Sequence, residues 1–487
     1  MKPISLLTAC LSLLTSADTA ESNLSTPLSS RQILPSNFKP PQDFKNVNLV
    51  RTVNLEKGYA KENINVLIEN TASSPQEEYY IPFRGDLIGS VGGLEVRDKK
   101  NPQTPVFESE VVEYDTHSPT QFYRITLPTP LAPSAQQTLS INYHLLSSLK
   151  PLPAAINQQD KQYLVYTFST YCPSAYLTQK QKTKIKFQTT DIPDFTGEPE
   201  RQGSTFTYGP YENIPAGAEQ EASVRYEFTK PLTHATLLER DIEVSHWGGN
   251  LATEERYWLT NKGAHLANHF SRVLYAASNQ YNPQYSPPTS ALKALNVPLK
   301  AGSLNPYFTD DIGNVSTSRF RSNLREANLE LMPRYPIFGG WNYNFRIGWD
   351  ANLRDVLRKL KVGDAYVLKV PFLEGPKMSE GVSYGKVELK VILPEGATNV
   401  KFETSVPIVA VETSTHRTFM DTLGRTTLKL TAMNLVDESR NSDLFVTYDY
   451  PLIAGFRKPV TVFLGVISVF AAAWSISRLD VSIGKPS

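Results

Sequence analysis

The 487-residue chain is poor in cysteine. Its two cysteines are Cys10 and Cys172, and Cys10 lies in an apolar N-terminal segment that we expect to be removed as a signal peptide. Cys172 then has no partner within the mature chain, so disulfides cannot hold the lumenal fold together. This excludes small disulfide-stapled extracellular modules and favours large domains with ordinary hydrophobic cores.

The chain also has little net charge, a formal +1 at pH 7. Its 49 Lys and Arg residues balance 48 Asp and Glu residues, without long blocks of one sign. A balanced chain gives no electrostatic reason to expect nucleic acid or an anionic membrane surface as a partner. Partner choice must therefore come from shape and local chemistry.

Long apolar runs are absent except near the two ends. The run Pro459–Ser477 contains no charged residue. At the helical rise of about 1.5 Å per residue it reaches roughly 28 Å, close to the thickness of a thin bilayer. We predict a transmembrane helix over 459–477, with Trp474 near one edge. The alternative is a buried core helix, but core helices seldom lack a polar face over this length.

The N-terminus has the pattern of a secretory signal. Lys2 precedes the apolar stretch Ile4–Leu14, and small residues follow up to Ala17, where we predict cleavage. The signal peptide thus covers residues 1–17. The next segment, 18–44, is rich in Ser, Pro and Asn and poor in apolar residues, which predicts a flexible leader.

The two ends together predict a type I single-pass membrane protein. Residues 18–458 would lie on the lumenal side, and residues 478–487 would form a cytosolic tail. Two basic residues flank each side of the helix, so the positive charges do not choose the orientation. The predicted orientation therefore rests on the signal peptide.

Between the ends, apolar residues alternate with a period of two in short segments separated by turn signals. This pattern indicates half-buried antiparallel strands and a mainly β (α+β) fold. The clearest segments are Ile64, Val66 and Ile68; Tyr123, Ile125 and Leu127; Leu139, Ile141 and Tyr143; Leu164, Tyr166 and Phe168; and Val224, Tyr226 and Phe228.

A boundary candidate at Lys230–Thr233 divides this region into two tandem β-rich lumenal domains, 45–232 and 233–456. Three segment pairs recur across it at similar spacing, which predicts two related halves. They are YLVYTF from Tyr163 with YVLKVPF from Tyr366, KTKIKF from Lys182 with GKVELKVILP from Gly385, and ASVRYEF from Ala222 with DLFVTYDYP from Asp443.

One helix is predicted in the second domain. Asp350 can act as its N-cap, and Gly363 follows where a left-handed C-terminal residue is favoured. Four apolar residues between them share one helical face: Leu353, Val356, Leu357 and Leu360. We expect this helix to pack against a sheet.

Complete catalytic motifs are absent from the sequence. His265 and His269 have the spacing of a helical zinc site, but Leu266 stands where a zinc peptidase needs glutamate. Cys172 has no histidine near it in sequence, so a buried inert thiol is favoured over a nucleophile.

Glycine-rich and acidic segments are equally incomplete. Gly85–Gly93 lacks the Lys-Ser/Thr ending of a phosphate loop and is interpreted as a turn. Asp310–Asn314 lacks the alternating ligands of a calcium loop and is interpreted as a surface loop. Glu77–Glu78 and Glu254–Glu255 are predicted to be solvated, since neighbours in a strand point apart. No catalytic, cofactor-binding or metal-binding residue is predicted.

Two Asn-X-Ser sequons are candidate N-glycosylation sites on a translocated chain. Asn314, in Asn-Val-Ser, is the first candidate. Asn23, in Asn-Leu-Ser, is the second and lies close to the predicted mature N-terminus.

Four blocks of the chain resemble the ribophorin I family, the α subunit of the oligosaccharyltransferase complex. They are HWGGNLATEERYWLTNKGAHLANHFSR from His246, DDIGNVSTS from Asp310, LMPRYPIFGGWNYNFRIGWD from Leu331 and RLDVSIGKP from Arg478. Their order and their position relative to the membrane helix agree with that family. The short tail resembles the fungal form.

The resemblance implies a non-catalytic subunit in the endoplasmic reticulum membrane. The complex transfers oligosaccharide from dolichyl diphosphate to Asn-X-Ser/Thr sequons of nascent polypeptides. Since this chain has no polytopic domain or acidic metal-binding constellation, it would need a polytopic catalytic partner and other subunits. It would scaffold that partner or guide acceptor polypeptide.

Other classes of function stay open from sequence. Aromatic residues within Tyr335–Trp349 suit either an exposed binding surface or core packing. A lumenal cargo receptor or chaperone-like binding module would have the same type I topology. A peptidase with a β-sandwich and a catalytic domain would need a motif that the sequence lacks.

Overall fold

The computed structural model describes residues 38–101, 103–111, 119–280, 288–361, 363–418 and 421–478. The predicted signal peptide, most of the leader and of the tail, and Asn23 lie outside the described residues. Strands dominate the described ranges, which confirms the predicted mainly β fold.

The N-terminal half, residues 44–232, has a short helix, α1 (Gly85–Ile88), and strands throughout its described residues. The strands are β1 (Phe44–Leu55), β2 (Ala60–Asn70), β3 (Gln76–Arg84), β4 (Val91–Asp98), β5 (Glu108–Val111), β6 (Thr120–Leu131), β7 (Gln136–Leu145), β8 (Leu149–Pro151), β9 (Ala155–Ile156), β10 (Tyr163–Ser169), β11 (Thr178–Phe187), β12 (Asp194–Phe195), β13 (Glu200–Gln202), β14 (Thr205–Ile214) and β15 (Glu221–Glu227).

The C-terminal half, residues 233–450, carries helix α2 (Arg272–Gln280) and is followed by α3 (Leu452–Gly455) and α4 (Arg457–Ser477). Two 3-10 turns lie at Leu353–Asp355 and Asp437–Asn441. The strands are β16 (Thr233–Ser245), β17 (Asn250–Asn261), β18 (His265–Leu266), β19 (Leu295–Leu299), β20 (Leu304–Asp310), β21 (Gly313–Asn314), β22 (Arg319–Ser322), β23 (Ala327–Leu331), β24 (Asn342–Asn352), β25 (Leu357–Lys359), β26 (Ala365–Pro371), β27 (Ser383–Ile392), β28 (Thr398–Thr404), β29 (Ala410–His416), β30 (Arg425–Val436) and β31 (Asp443–Asp449).

Three sheets build the N-terminal half. The largest has the order β13-β14-β11-β1-β2-β7-β4, and the smaller sheets have the orders β12-β15-β10-β8 and β3-β6-β5. Alternate residues of β2, such as Ile64, Val66 and Ile68, are buried, as the period-two pattern predicts. The buried faces meet in one hydrophobic cluster that extends from Phe44 to Leu232.

Three sheets of the C-terminal half repeat this arrangement, with one extra strand, β21, at the end of the large sheet. Their orders are β29-β30-β27-β16-β17-β24-β20-β21, β28-β31-β26-β25 and β19-β23-β22. In both halves a hairpin opens the large sheet, and its first strand pairs in parallel with a much later strand, β11 or β27. Their buried faces form a second cluster, from Ala235 to Tyr448.

The shared topology agrees with the prediction of two related halves. The three segment pairs recognised in the sequence occupy equivalent positions: β10 and β26, β11 and β27, β15 and β31. The boundaries 45–232 and 233–456 stay a prediction, because two hydrophobic clusters do not by themselves show that each half folds alone.

The predicted helix after Asp350 is wrong. Strand β24 continues to Asn352, a single 3-10 turn follows, and β25 then pairs with β26. The four apolar residues do not share a buried face, since Leu353 is 5% exposed and Leu360 is 46% exposed. A helical spacing in a short window also fits a strand end, a turn and a new strand, and pairing with neighbouring strands decides between them.

Polar and apolar contacts join the two halves. Strands β9 and β18 pair in parallel across them, and Tyr59, Leu146 and Val436 form a small buried cluster between them. Asn434 Nδ2 donates to the carbonyl of Val91 at 3.0 Å. A Cβ on Gly92 would lie 1.8 Å from the Asn434 carbonyl oxygen, so the close approach requires glycine.

Helix α4 has the length and composition of a membrane span. It covers 21 residues from Arg457 to Ser477, two residues earlier than predicted, and none of them is buried. An apolar helix exposed on all sides cannot be the core helix considered as the alternative. This supports the predicted single membrane span.

Candidate functional sites: buried ion pairs, the sequon hairpin and the membrane anchor

A buried ion pair lies in a cleft of about 310 Å³ in the N-terminal half. Arg51 on β1 donates two hydrogen bonds to Glu62 on β2, at 2.7 and 2.8 Å. Tyr143 and Tyr166 donate their hydroxyls to the same carboxylate at 2.7 and 2.9 Å. A further guanidinium N–H donates to the carbonyl of Ser169 at 2.7 Å.

These contacts fix the protonation states of the cluster. Burial alone would raise the pKa of Glu62, but the charge of Arg51 and the hydrogen bonds from Arg51, Tyr143 and Tyr166 hold it below its ordinary value. Burial and the nearby carboxylate raise the pKa of both tyrosines, which keeps them protonated donors. Each carboxylate oxygen is therefore satisfied, and the cluster is suited to holding β1, β2, β7 and β10 together.

The C-terminal half contains an equivalent ion pair. Arg240 on β16 is fully buried and bonds to Glu255 on β17 and to Glu374, the latter at 2.6 Å. Tyr257 donates its hydroxyl to Glu255 at 2.6 Å. Arg240 also reaches the carbonyl of Pro371, the last residue of β26, as Arg51 reaches the last residue of β10. The similarity of the two halves thus extends to these charged side chains.

Glu255 corrects the expectation that its acidic pair is solvated. It is 0% exposed, whereas Glu254 points to the surface and pairs with Arg256 and Arg346. The prediction that the two side chains point apart is confirmed. Strand phase was the signal that could have found the buried pair, because Arg240 has the same phase in its strand as the buried residues Leu238 and Ile242.

The other predicted acidic pair lies where expected. Glu77 and Glu78 are exposed on β3, and Glu78 accepts from Tyr80 and Arg124. The segment from Gly85 is not a phosphate loop: it forms α1 and leads into β4.

The first sequon lies on the hairpin of β20 and β21. Asn314 and Ser316 are exposed, while Val315 between them is buried. The side chain of Asp310 accepts from the backbone N–H groups of Ile312 and Gly313, each at 3.0 Å, which shapes the turn. Glycosylation of Asn314 stays a prediction, and the exposed asparagine is compatible with it.

Asp310 serves this hairpin as a structural acid. Burial would raise its pKa, but hydrogen bonds from Arg334, from the turn backbone and from Tyr343 lower it below the ordinary range. The Tyr343 hydroxyl lies 3.1 Å from the carboxylate. The segment is therefore a hairpin turn between β20 and β21, with Asp311 and Ile312 exposed and the carboxylate of Asp310 buried, and not a fully solvated loop.

The two histidines of the zinc-like spacing do not share a helical face. His265 belongs to β18, and His269 follows in an irregular segment. The His265 ring packs over Gly340, where a Cβ would lie 2.2 Å from the ring. In the ranges that the structure describes, no three His, Cys, Asp or Glu residues come together as a possible metal site.

Cys172 is a free and buried cysteine. Burial raises the pKa of its thiol to about 12, although the charge of Arg51 acts in the opposite direction. The group is therefore a thiol near neutral pH, which agrees with the interpretation as an unreactive side chain.

Most of the aromatic-rich segment belongs to the core. Phe345 and Trp349 are 2% and 4% exposed, and Tyr343 lies with them in the C-terminal cluster. Trp341 is half-buried, and Tyr335 is the exposed member at 39%. Core packing is thus the correct alternative for these buried rings.

The membrane helix is tied to the C-terminal half by charge and by packing. Lys458 contacts Asp421 at 3.0 Å, and Arg425 contacts the same buried carboxylate at 3.2 Å. Burial would raise the pKa of Asp421, but hydrogen bonds from Thr418 and Lys458 and the charge of Arg425 place it well below the ordinary value. In addition, Ala454 is buried. The first turn of α4 is therefore fixed against the folded half.

One known family matches the chain from the first strand to the C-terminal helix. The family model of Ribophorin I matches residues 44–477, from the first strand of the N-terminal half to the end of α4. The chain belongs to the ribophorin I family. The match includes both halves and the helix, so family membership extends over nearly all the described residues.

Two curated relatives in this family are similar over most of the chain. The "Dolichyl-diphosphooligosaccharide--protein glycosyltransferase subunit 1" of Caenorhabditis elegans is 32% identical over 461 residues, covering 91% of this chain and 73% of the relative. The Schizosaccharomyces pombe protein of the same name is 30% identical over 447 residues, covering 89% of this chain and 95% of the relative.

Solved structures give a much weaker likeness. Native yeast LTA4 hydrolase is 11% identical with a TM-score of 0.28, and the match covers 46% of this chain and 33% of that one. A TM-score at this level does not establish a shared fold, and no function is carried over from it.

Proposed function

We propose that this ribophorin I family member is a non-catalytic subunit of an oligosaccharyltransferase complex in the endoplasmic reticulum membrane. The observation that carries the proposal is identity of 30% or more, over about nine-tenths of the chain, to relatives named as subunit 1 of that glycosyltransferase. The described Arg–Glu clusters support it, because their hydrogen bonds hold strands together and leave the carboxylates paired.

In this role the chain scaffolds a polytopic catalytic subunit or guides acceptor polypeptide toward it. Two structural features favour a scaffolding or guiding role. The two similar halves are joined by strand pairing, and the C-terminal half is tied to the first turn of α4 through Asp421. Both contacts would give a partner in or near the membrane a fixed surface to bind.

The proposal places residues 18–458 in the lumen, and sealed microsomes test this orientation. Added protease should remove no more than the segment after Ser477. Asn314→Gln should increase gel mobility by the mass of one glycan, with Asn23→Gln as the companion variant for the second sequon. Loss of a large fragment would contradict lumenal placement. A wild-type chain insensitive to glycosidase would contradict the predicted use of the sequons.

Affinity purification of the full chain tests membership in the complex. A polytopic glycosyltransferase should co-purify in stoichiometric amount. A varied set of client proteins would instead indicate the cargo receptor or chaperone-like module.

Transfer activity per purified complex then tests the non-catalytic role. His265→Ala and Asp311→Ala change an exposed histidine and an exposed acid, so activity per complex should stay unchanged. Trp349→Ala opens a cavity at a cost of about 3–5 kcal/mol. It should reduce the amount of complex while sparing the activity of what remains. A variant that assembles normally yet transfers no glycan would refute the non-catalytic role.

A further inference from the structure

An exposed tryptophan occupies the tip of the β16–β17 hairpin. Trp247 is 76% exposed. The turn that carries it is ordered, because Ser245 Oγ accepts the N–H of Gly248 at 3.1 Å and the carbonyl of Gly249 accepts the N–H of Leu353 at 3.0 Å. The exposure of the indole is therefore imposed by the turn.

The hairpin tip lies beside the start of the membrane helix. Trp247 lines a small cleft of about 50 Å³ together with Ala454 and Lys458, the second residue of α4. Three more apolar side chains are exposed at this point of the chain. We call the four residues the membrane-proximal patch, which comprises Trp247, Leu452 (76% exposed), Ile453 (81% exposed) and Phe456 (57% exposed).

The length of α4 sets the height of this patch relative to a bilayer. At about 1.5 Å per residue the helix spans roughly 31 Å, close to the hydrocarbon thickness of about 30 Å. One end of the helix therefore lies at each membrane–water interface. The start of α4, and Trp247 next to it, then lie at interface level.

The distribution of aromatic residues agrees with this placement. At the far end of α4, Trp474 lies with the Arg478 guanidinium 5.0 Å from its ring, as expected for an interfacial pair. The near end of α4 has no Trp or Tyr of its own. An indole has an apolar body and one N–H donor, so it favours the interface, and the hairpin supplies one there.

We propose that the membrane-proximal patch lies in the lipid headgroup region of the leaflet nearest the folded halves, with Trp247 inserted beside the anchor. The patch continues the surface of a helix that itself needs lipid around it, which favours the bilayer over a second copy of the chain or another protein. Together with the Lys458–Asp421 contact, this gives the C-terminal half two attachments to the membrane.

Tryptophan fluorescence of the full chain in phosphatidylcholine nanodiscs tests the proposal. Trp474→Phe serves as the background, because Trp474 would itself be quenched by lipid. Lipids brominated near the headgroup should quench the emission of this variant, and adding Trp247→Phe should remove that quenching. Trp258→Phe is the matched control, since Trp258 pairs with Leu237 far along the hairpin and should leave the quenching intact.

A second variant does not depend on quenching. Trp247→Cys carries a nitroxide label, and the buried Cys172 should stay unlabelled. A label in the interface collides more often with oxygen than with a water-soluble nickel chelate. Quenching that survives Trp247→Phe, or a label more accessible to nickel, would overturn the proposal. So would a label that is shielded only when the other subunits are added, because that result assigns the patch to a protein partner.

Discussion

At the scale of single residues, the buried charges carry the most information. Arg51 and Glu62 lie in the same strand phase as the apolar core residues around them, so the fold accepts two charges inside a hydrophobic cluster. Such a pair adds little stability compared with apolar residues, but removing one partner leaves an uncompensated charge. The pair therefore makes the alignment of β1 with β2 sensitive to a single substitution.

Glu62→Gln should destabilise the N-terminal half by about 3–5 kcal/mol, because Arg51 would stay buried without a counter-charge. The shift in the denaturant midpoint of the full chain in nanodiscs measures this loss of stability. Glu69→Gln is the control on the same strand, since Glu69 faces the other side and pairs with the half-exposed Lys45. Equal effects of the two substitutions would show that the buried pair has no special role.

Because the imidazole of His234 is buried, we expect the folded chain to lose stability in acid. Burial, with a smaller contribution from the charge of Lys262, lowers its pKa to about 4, against 6.5 when unfolded. Between these values the unfolded chain binds more protons, so stability falls as pH decreases from about 6.5 to 4, by a contribution on the order of 1–3 kcal/mol.

His234→Asn tests this contribution, since the amide can keep the contact with Ser383 Oγ, 2.9 Å away in the native chain, without titrating. Chemical denaturation at several pH values should give a flatter profile for this variant above pH 4. An unchanged profile would assign the acid sensitivity to other groups.

At the scale of elements, the membrane helix has the simplest energetics. Val466 lies near the middle of α4. Val466→Arg places a charge at the bilayer centre, which costs about 2.5–3.5 kcal/mol on insertion scales. The fraction retained in membranes after alkaline carbonate extraction should fall, while Val466→Leu should leave it unchanged. Equal retention of both variants would argue against a membrane span.

Elements differ in how far the sequence could predict them. Period-two runs such as Ile64 to Ile68 identified strands correctly because one face of each is buried. The helix expected after Asp350 failed because strand pairing, which joins residues distant in sequence, outweighed local spacing. Helix α2 gave no recognised signal. The buried glutamates were missed because acidic residues are usually solvated, although their strand phase places them on the buried face.

At the scale of the whole molecule, the contact between the halves depends on a few polar groups. Asp437 is 8% exposed and accepts the Tyr59 hydroxyl at 2.6 Å and the Lys57 ammonium at 3.0 Å. Lys61 contacts the adjacent Glu438 at 2.6 Å. Because these groups come from opposite halves, they couple the unfolding of one half to the other.

Asp437→Asn should weaken that coupling. The Tyr59 hydroxyl keeps an acceptor, but the charge on Lys57 loses its nearest partner. Differential scanning calorimetry of the full chain should then show a broader or split transition. Asp443→Asn is the control, because the Asp443–Lys369 pair is exposed and lies within one half. A single transition like that of the unaltered chain would place the coupling elsewhere.

The parallel pairing of β1 with β11, and of β16 with β27, has a consequence for synthesis. Asn46 pairs with Thr178, and His234 pairs with Ser383, so the first strand of each large sheet stays without its parallel neighbour until that later residue has been synthesised. Until then the opening hairpin carries an unpaired strand edge, a surface that can pair with other chains. Contacts so distant in sequence also slow folding. Each half must therefore pass through a long interval of vulnerability during its synthesis, in which a chaperone that covers strand edges would have its greatest effect.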